Sequence, residues 1–146
     1  MNFLLLVALI AGMFMPLQAG LNVKMGKVLG NPIYSALISF AIGTIGLFLY
    51  ALFTKVDLSR ISDTGAASWT LWLAGLLGAF YVATAIIVGP KIGITLTFSL
   101  IVAGQMSVSL LLDHYGILGF PKYEINWQRI LGIGLVIAGV ILIRKF

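Results

Sequence analysis

The residues best suited to chemistry in this sequence are amides and hydroxyls that lie within long apolar runs. Gln18 and Asn22 are four residues apart near the end of the first run, and Gln105 and Ser109 have the same spacing in the fourth. Residues four apart share one face of a helix. An amide in hydrocarbon needs hydrogen-bond partners, because an unsatisfied one is costly there. Two interpretations stay open: these side chains join helices together, or they line a crevice that water or a substrate enters.

One adjacent pair of titratable side chains, Asp113 and His114, ends the fourth run. Asp113 is a candidate proton site if its helix carries it into a crevice, and His114 titrates in the range of a physiological switch. The alternative is an interfacial cap at a helix end. We expect no metal site, because one His, four scattered acids and no Cys make a poor ligand shell. We also expect no catalytic residue and no cofactor, since neither a nucleophile–base constellation nor a phosphate loop is present.

The composition limits which elements can position these side chains. Of 146 residues, 61% are hydrophobic and only 9% are charged, against about 25% charged in an ordinary globular domain. A soluble domain of this size could not bury so much apolar surface. A cytosolic enzyme, a disordered protein and a disulfide scaffold are therefore excluded. The net charge of +5 does not indicate nucleic-acid binding, because the basic residues are scattered and form no basic face.

The apolar residues fall into runs long enough to cross a bilayer, which takes about 20 residues. The break at Gly89-Pro90-Lys91 divides what would otherwise be one very long run, because Pro is costly inside a helix. No Lys or Arg precedes the first run, so we expect it to be a span rather than a cleaved signal peptide. The sequence predicts an all-α membrane protein with residues 1–146 in a single transmembrane domain, and its five helices at about 2–20, 32–53, 69–89, 92–112 and 127–143.

The basic residues give the chain almost no preferred orientation. Cytoplasmic flanks normally collect Lys and Arg, yet here the two sides are nearly equal. One interpretation is a single topology with the carboxyl end inside. The other is dual topology, in which two five-helix copies pair antiparallel into a ten-helix unit with the geometry of an inverted-repeat transporter. The amino-terminal side holds Lys55, Arg60, Lys122 and Arg129, and the opposite side holds Lys24, Lys27, Lys91, Arg144 and Lys145.

Motifs with a characteristic order and spacing lie along the whole chain. The most specific stretch is Gly104-Gln105, Ser109 and Asp113-His114-Tyr115-Gly116. The other motifs are Gln18-Ala19-Gly20-Leu21-Asn22, Gly30-Asn31-Pro32, Ser39-Phe40 with Gly43, Gly75-Leu76-Leu77-Gly78, Tyr81-Val82, Pro90-Lys91-Ile92-Gly93, Arg129-Ile130-Leu131-Gly132 and Gly139-Val140. In their order and spacing these motifs resemble the YdcZ-like family of the drug/metabolite transporter superfamily.

The resemblance implies a multi-pass protein of the bacterial inner membrane that works as an antiparallel homodimer. The family is similar in layout to the small multidrug exporters, which have four helices and use a glutamate in helix 1 to couple protons to substrate. Helix 1 here carries Gln18 and no acid. Proton-driven drug export is therefore not implied for this chain.

These observations predict a transporter of a small solute or a lipid-like molecule. We expect Gln105 and Ser109, with Gln18 and Asn22, to line a two-fold symmetric site, and Asp113 to be the protonatable group near it. The expected partners are a second copy, membrane lipids and a small-molecule substrate of unknown identity, with no nucleic acid. The alternative is a membrane assembly or lipid-binding subunit that transports nothing, which the absence of charge at the helix centres favours.

Overall fold

A computed structural model describes residues 2–66 and 68–146 of the chain. Two 3₁₀ segments, Leu58–Ala66 and Trp69–Trp72, follow the second helix, and these described residues form no strand. All five α-helices are long and apolar enough to cross a membrane, which confirms the five predicted spans. The helices are α1 (Asn2–Leu29), α2 (Pro32–Phe53), α3 (Leu73–Ile92), α4 (Ile94–Tyr115) and α5 (Trp127–Lys145).

Helix α1 continues well beyond its expected end near residue 20. It ends at Leu29, where Gly30 takes a left-handed conformation with a φ of 76°. Pro32 then opens α2, and the Oδ1 of Asn31 accepts a hydrogen bond of 2.8 Å from the backbone N–H of Ile33. The stop signal is thus the Gly-Asn-Pro sequence rather than the first polar residue. The residues after position 20, which were expected to lie outside the first span, therefore form more than two further turns of helix.

The break between α3 and α4 lies at Gly93 rather than at Gly89-Pro90. Helix α3 passes through Pro90 and ends at Ile92, and Gly93 has a φ of 90° that favours glycine. The backbone N–H of Gly93 still donates to the Gly89 carbonyl at 3.0 Å. Thr97 then donates to the Gly93 carbonyl through its backbone N–H at 3.1 Å and its hydroxyl at 2.8 Å. These bonds anchor the first turn of α4, which begins two residues after the expected position.

The chain forms two compact units, one up to Ile87 and one from Val88 to Phe146. In the first unit α1 packs against α2. A Cβ at Gly26 would lie 3.1 Å from the Pro32 Cα, so glycine permits the close approach of the two helices here. The hydroxyl of Ser35, which is fully buried, donates to the Pro32 carbonyl at 2.7 Å.

The loop after α2 begins with a local turn around Asp57. Its Oδ1 accepts hydrogen bonds from the hydroxyl of Ser59 at 2.6 Å and from the backbone N–H of Ser59 at 3.0 Å. These two bonds hold the pKa of Asp57 below its usual value. The turn starts the 3₁₀ segment that leads toward α3.

In the second unit α4 packs against α5. Gly116, with a φ of 59°, caps α4, and the Oδ1 of Asn126 accepts a hydrogen bond of 2.9 Å from the Arg129 N–H at the start of α5. Helices α4 and α5 extend to Tyr115 and Lys145, slightly beyond the expected residues 112 and 143. Most large apolar side chains of the described residues are exposed, as in a chain whose surroundings are lipid.

Candidate functional site

An ion pair joins the end of α4 to the start of α5. The Nη2 of Arg129 donates to the Oδ2 of Asp113, and the Nη1 of Arg129 donates to the Tyr123 carbonyl at 3.1 Å. The guanidinium also lies 5.8 Å from the centre of the Tyr123 ring, a cation–π distance. The side chains of Arg129 and Asp113 are 34% and 27% exposed, so solvent screens the pair only in part.

The connection between the two helices folds back onto this pair. The backbone N–H of Tyr123 donates to the Asp113 carbonyl at 2.8 Å, and the Ile125 N–H donates to the Nδ1 of His114 at 3.3 Å. His114 therefore positions the connection through a nitrogen that acts as an acceptor. The geometry corresponds to the interfacial helix-end interpretation of these two residues, with Arg129 as the partner of Asp113.

A cleft of about 410 Å³ lies between α4 and α5 and extends along the two helices from the ion pair. Most of its lining side chains are apolar, and its two charged groups, Asp113 and Arg129, lie at the end nearest the α4–α5 connection. A second, more polar cavity of about 580 Å³ meets the same ion pair from the side of the connection. The cleft is lined by Met106, Ser109, Leu110 and Asp113 from α4 and by Arg129, Gly132, Ile133 and Val136 from α5.

The structure places two of the predicted site residues together in this cleft. Ser109 and Asp113 both line it, one turn apart. Gln105 does not line it, because it is turned by about 90° from the centre of the α4 face that meets α5, at about 100° per residue. Gln105 is exposed, and its side chain forms no hydrogen bond within residues 2–66 and 68–146. Gln105 and Ser109 are thus neighbours on the surface of α4, but only Ser109 reaches the cleft.

The two site residues predicted in α1, Gln18 and Asn22, also have different surroundings. Asn22 is 4% exposed, and its Nδ2 donates to the Ser39 hydroxyl of α2 at 3.3 Å. This contact corresponds to the interpretation in which an amide joins two helices. Gln18 is exposed and, like Gln105, has no side-chain hydrogen bond to a described residue.

Arg129 is the functional candidate that the sequence reasoning missed, because it was counted among the basic residues that set orientation and quoted within a motif, but was given no role at the site. The sequence did contain a signal that Asp113 and Arg129 pair. Asp113 and Arg129 lie at the adjoining ends of consecutive helices, and an acid and a base in that arrangement are expected to pair when the helices form a hairpin. Among the residues that the structure describes, no group of three His, Asp or Glu side chains could hold a metal ion.

Five membrane-length helices, with charges at their ends and amides along their length, define a multi-pass integral membrane protein. A comparison with protein families identifies which one. The chain belongs to the YdcZ family, described as "Putative inner membrane exporter, YdcZ", whose model matches residues 3–142. The protein is therefore a multi-pass protein of the inner membrane, and the description of its family names a transport class, which is not an enzyme class. No curated protein and no solved structure matches the chain.

Proposed function

We propose that this chain is one subunit of an antiparallel homodimeric exporter that moves a small solute or a lipid-like molecule across the inner membrane. The observation that carries the proposal is the environment of Gln105. Its amide is exposed, has no hydrogen-bond partner in the described chain, and lies in a membrane-length helix.

The position of Gln105 along α4 explains why the exposure of its amide matters. It lies eleven residues after Ile94 and ten before Tyr115, the ends of α4. At 1.5 Å per residue it is about 15 Å from either end, close to the centre of a hydrocarbon core about 30 Å thick. A bare amide facing lipid at this depth would lack partners that it needs. A second protein surface or a hydrated path would supply them.

A second copy in the opposite orientation is the partner that fits the charges. The four and five basic residues on the two sides give either orientation nearly equal support. Two copies related by an axis in the membrane plane bring their midplane residues to the axis, where transporters with inverted repeats bind substrate. Each site would then contain Gln105 twice. Gln18 of α1 is likewise exposed and without a side-chain hydrogen bond to a described residue, and it stays a predicted site residue.

Efflux from proteoliposomes tests this proposal. Vesicles are loaded with a panel of small solutes and, separately, labelled in one leaflet with fluorescent lipid analogues. We expect at least one probe to move and Gln105→Ala to slow it by about tenfold or more, the effect of losing a hydrogen bond of roughly 1.5 kcal/mol. The matched control is Ser107→Ala, because the Ser107 hydroxyl is exposed and donates only to the Ala103 carbonyl of its own helix at 2.8 Å.

An alternative function is a membrane subunit that transports nothing. It is favoured by the lack of any Asp, Glu, Lys or Arg in the central part of the five spans, which leaves no charge at the midplane to couple an ion. If no probe moves although Gln105→Ala still weakens the dimer, this alternative is correct. If a probe moves equally well in wild type, Gln105→Ala and Ser107→Ala, the role given to Gln105 is wrong.

A further inference from the structure

The cleft between α4 and α5 has the chemistry of a site for an amphipathic molecule. Apolar side chains line most of its length, and the Asp113–Arg129 pair lies at one end. A Cβ added at Gly132, within the cleft, would meet no atom within 4 Å, so the space is open. We propose that the cleft binds a zwitterionic phospholipid, with its phosphate on Arg129, its ammonium on Asp113 and an acyl chain along the apolar walls.

The position of the cleft matches the depth of a lipid. Asp113 is two residues from the end of α4 and Arg129 two residues from the start of α5, so the pair lies about 3 Å from the helix ends. Met106 and Val136, at the other end of the cleft, are nine residues from those same ends, or about 13.5 Å. Half the hydrocarbon core is about 15 Å thick. The cleft thus extends from headgroup level nearly to the midplane, as an acyl chain does.

The polar end of the cleft suits a headgroup that carries both charges. A guanidinium has five N–H donors, and Arg129 uses two of them in its bonds to Asp113 and Tyr123. The Oδ1 of Asp113 accepts no hydrogen bond from the described residues. Glu124 lines the second cavity together with the pair, and Lys122 lies 3.6 Å from Glu124, so these two residues add one charge of each sign. Because the site has no net charge, a zwitterion fits it better than an anion or a cation does.

This inference rests on the proposed function, for which it names the substrate class. In an antiparallel dimer the two clefts open to opposite leaflets, since each opens at the same end of its own α4–α5 pair. A lipid entering one cleft would meet the midplane near Gln105 and leave through the other. The lipid site itself exists in one chain and can be tested without transport.

Lipid retention in defined vesicles is the test. The protein is reconstituted in equal amounts of phosphatidylethanolamine and phosphatidylglycerol and extracted in detergent, and the bound lipids are quantified by mass spectrometry. We expect wild type to be enriched in phosphatidylethanolamine. Asp113→Asn should shift the ratio of the two lipids about tenfold toward phosphatidylglycerol, because the ammonium loses its charged partner while Arg129 still holds phosphate. Arg129→Gln should lower the retention of both lipids about tenfold.

A second pair of variants keeps the charges and so separates binding from folding. Gly132→Leu fills the cleft and should lower the retention of both lipids. Gly134→Leu is its matched control, because an added Cβ at either glycine meets no atom within 4 Å but only Gly132 lines the cleft. Circular dichroism and the elution volume of each variant check that the helices and the assembly are intact.

The outcomes distinguish this inference from the proposed function. If the retained lipid has the same composition as the vesicles, and this does not change in Asp113→Asn or Gly132→Leu, the proposed lipid site is wrong. Enrichment lost in Gly132→Leu and kept in Gly134→Leu supports it, even if no probe crosses the membrane. If solute efflux depends on Gln105 but the protein retains lipids without selectivity, the proposed export function is supported and the lipid site is contradicted.

Discussion

The ion pair between α4 and α5 makes a quantitative prediction, because the same connection contains a second ion pair that serves as its control. Arg129 and Asp113 are 34% and 27% exposed and share a direct hydrogen bond. Lys122 and Glu124 are 61% and 78% exposed and lie 3.6 Å apart. Double-mutant cycles with Asp113→Asn and Arg129→Gln, and with the corresponding neutral replacements of the control pair, measure the coupling free energy of each pair.

The expected coupling free energy of each pair depends on how far its charged groups are removed from water. Exposed pairs contribute about 0.2–1 kcal/mol, and a hydrogen bond to a charged group about 1.5–3 kcal/mol when desolvated. For the partly buried pair of Asp113 and Arg129 we expect about 1 kcal/mol, and for Lys122 and Glu124 less than about 0.5 kcal/mol. Arg129→Gln should cost more than Asp113→Asn, because it also removes the bond to the Tyr123 carbonyl and the contact with its ring.

The assay is equilibrium unfolding in mixed micelles, with helix content followed as the denaturing detergent is increased. Delipidated protein is used, so that bound lipid does not contribute to the coupling. Equal coupling energies for the two pairs, or an Asp113→Asn variant less stable than Arg129→Gln, would refute the assignment of Arg129 as the residue that holds the α4–α5 junction.

Two further predictions concern the packing of α1 on α2. Gly26→Ala should destabilise the protein by about 1–2 kcal/mol, because its Cβ would press on the Pro32 backbone at 3.1 Å. Gly20→Ala, where the added Cβ meets no atom within 4 Å, should be neutral or slightly stabilising. Thermal unfolding of the two variants measures the difference, and equal effects would contradict the prediction. Ser39→Ala should cost about 0.6–1 kcal/mol by removing the acceptor of the buried Asn22 amide. Thr44→Ala, which loses only a bond to the Phe40 carbonyl of its own helix, should cost less in the same assay.

The sequence was sufficient for the number and type of the helices, because about 20 consecutive apolar residues have few other stable forms. It was weaker at the helix ends. The sequence predicted an end of α1 near residue 20, but the helix ends at Leu29, where Gly30 follows with a φ of 76°. Likewise Pro90 suggested the α3–α4 break, which lies at Gly93 because a Pro near the end of a helix removes only one bond.

The site was only partly predictable, because spacing along a helix does not show what each face meets. Gln105 and Ser109 have the spacing of one face, yet only Ser109 lines the α4–α5 cleft. Gln18 and Asn22 have the same spacing, yet only Asn22 is buried against α2. The pairing of Asp113 with Arg129 depends on the fold of the connection, which bends back through the Tyr123 N–H. No periodicity in the sequence encodes that bend.

The antiparallel dimer is the central claim, and the orientation of single chains tests it most directly. The chain contains no cysteine, so Phe146→Cys introduces one label site at the carboxyl end. Membrane-impermeant thiol reagents applied to intact cells, and then to inverted membrane vesicles, count the molecules in each orientation. The account predicts comparable labelling from the two sides, and predicts that lysines added to one side shift the ratio. Labelling of every molecule from one side only, unchanged by the added lysines, would contradict it.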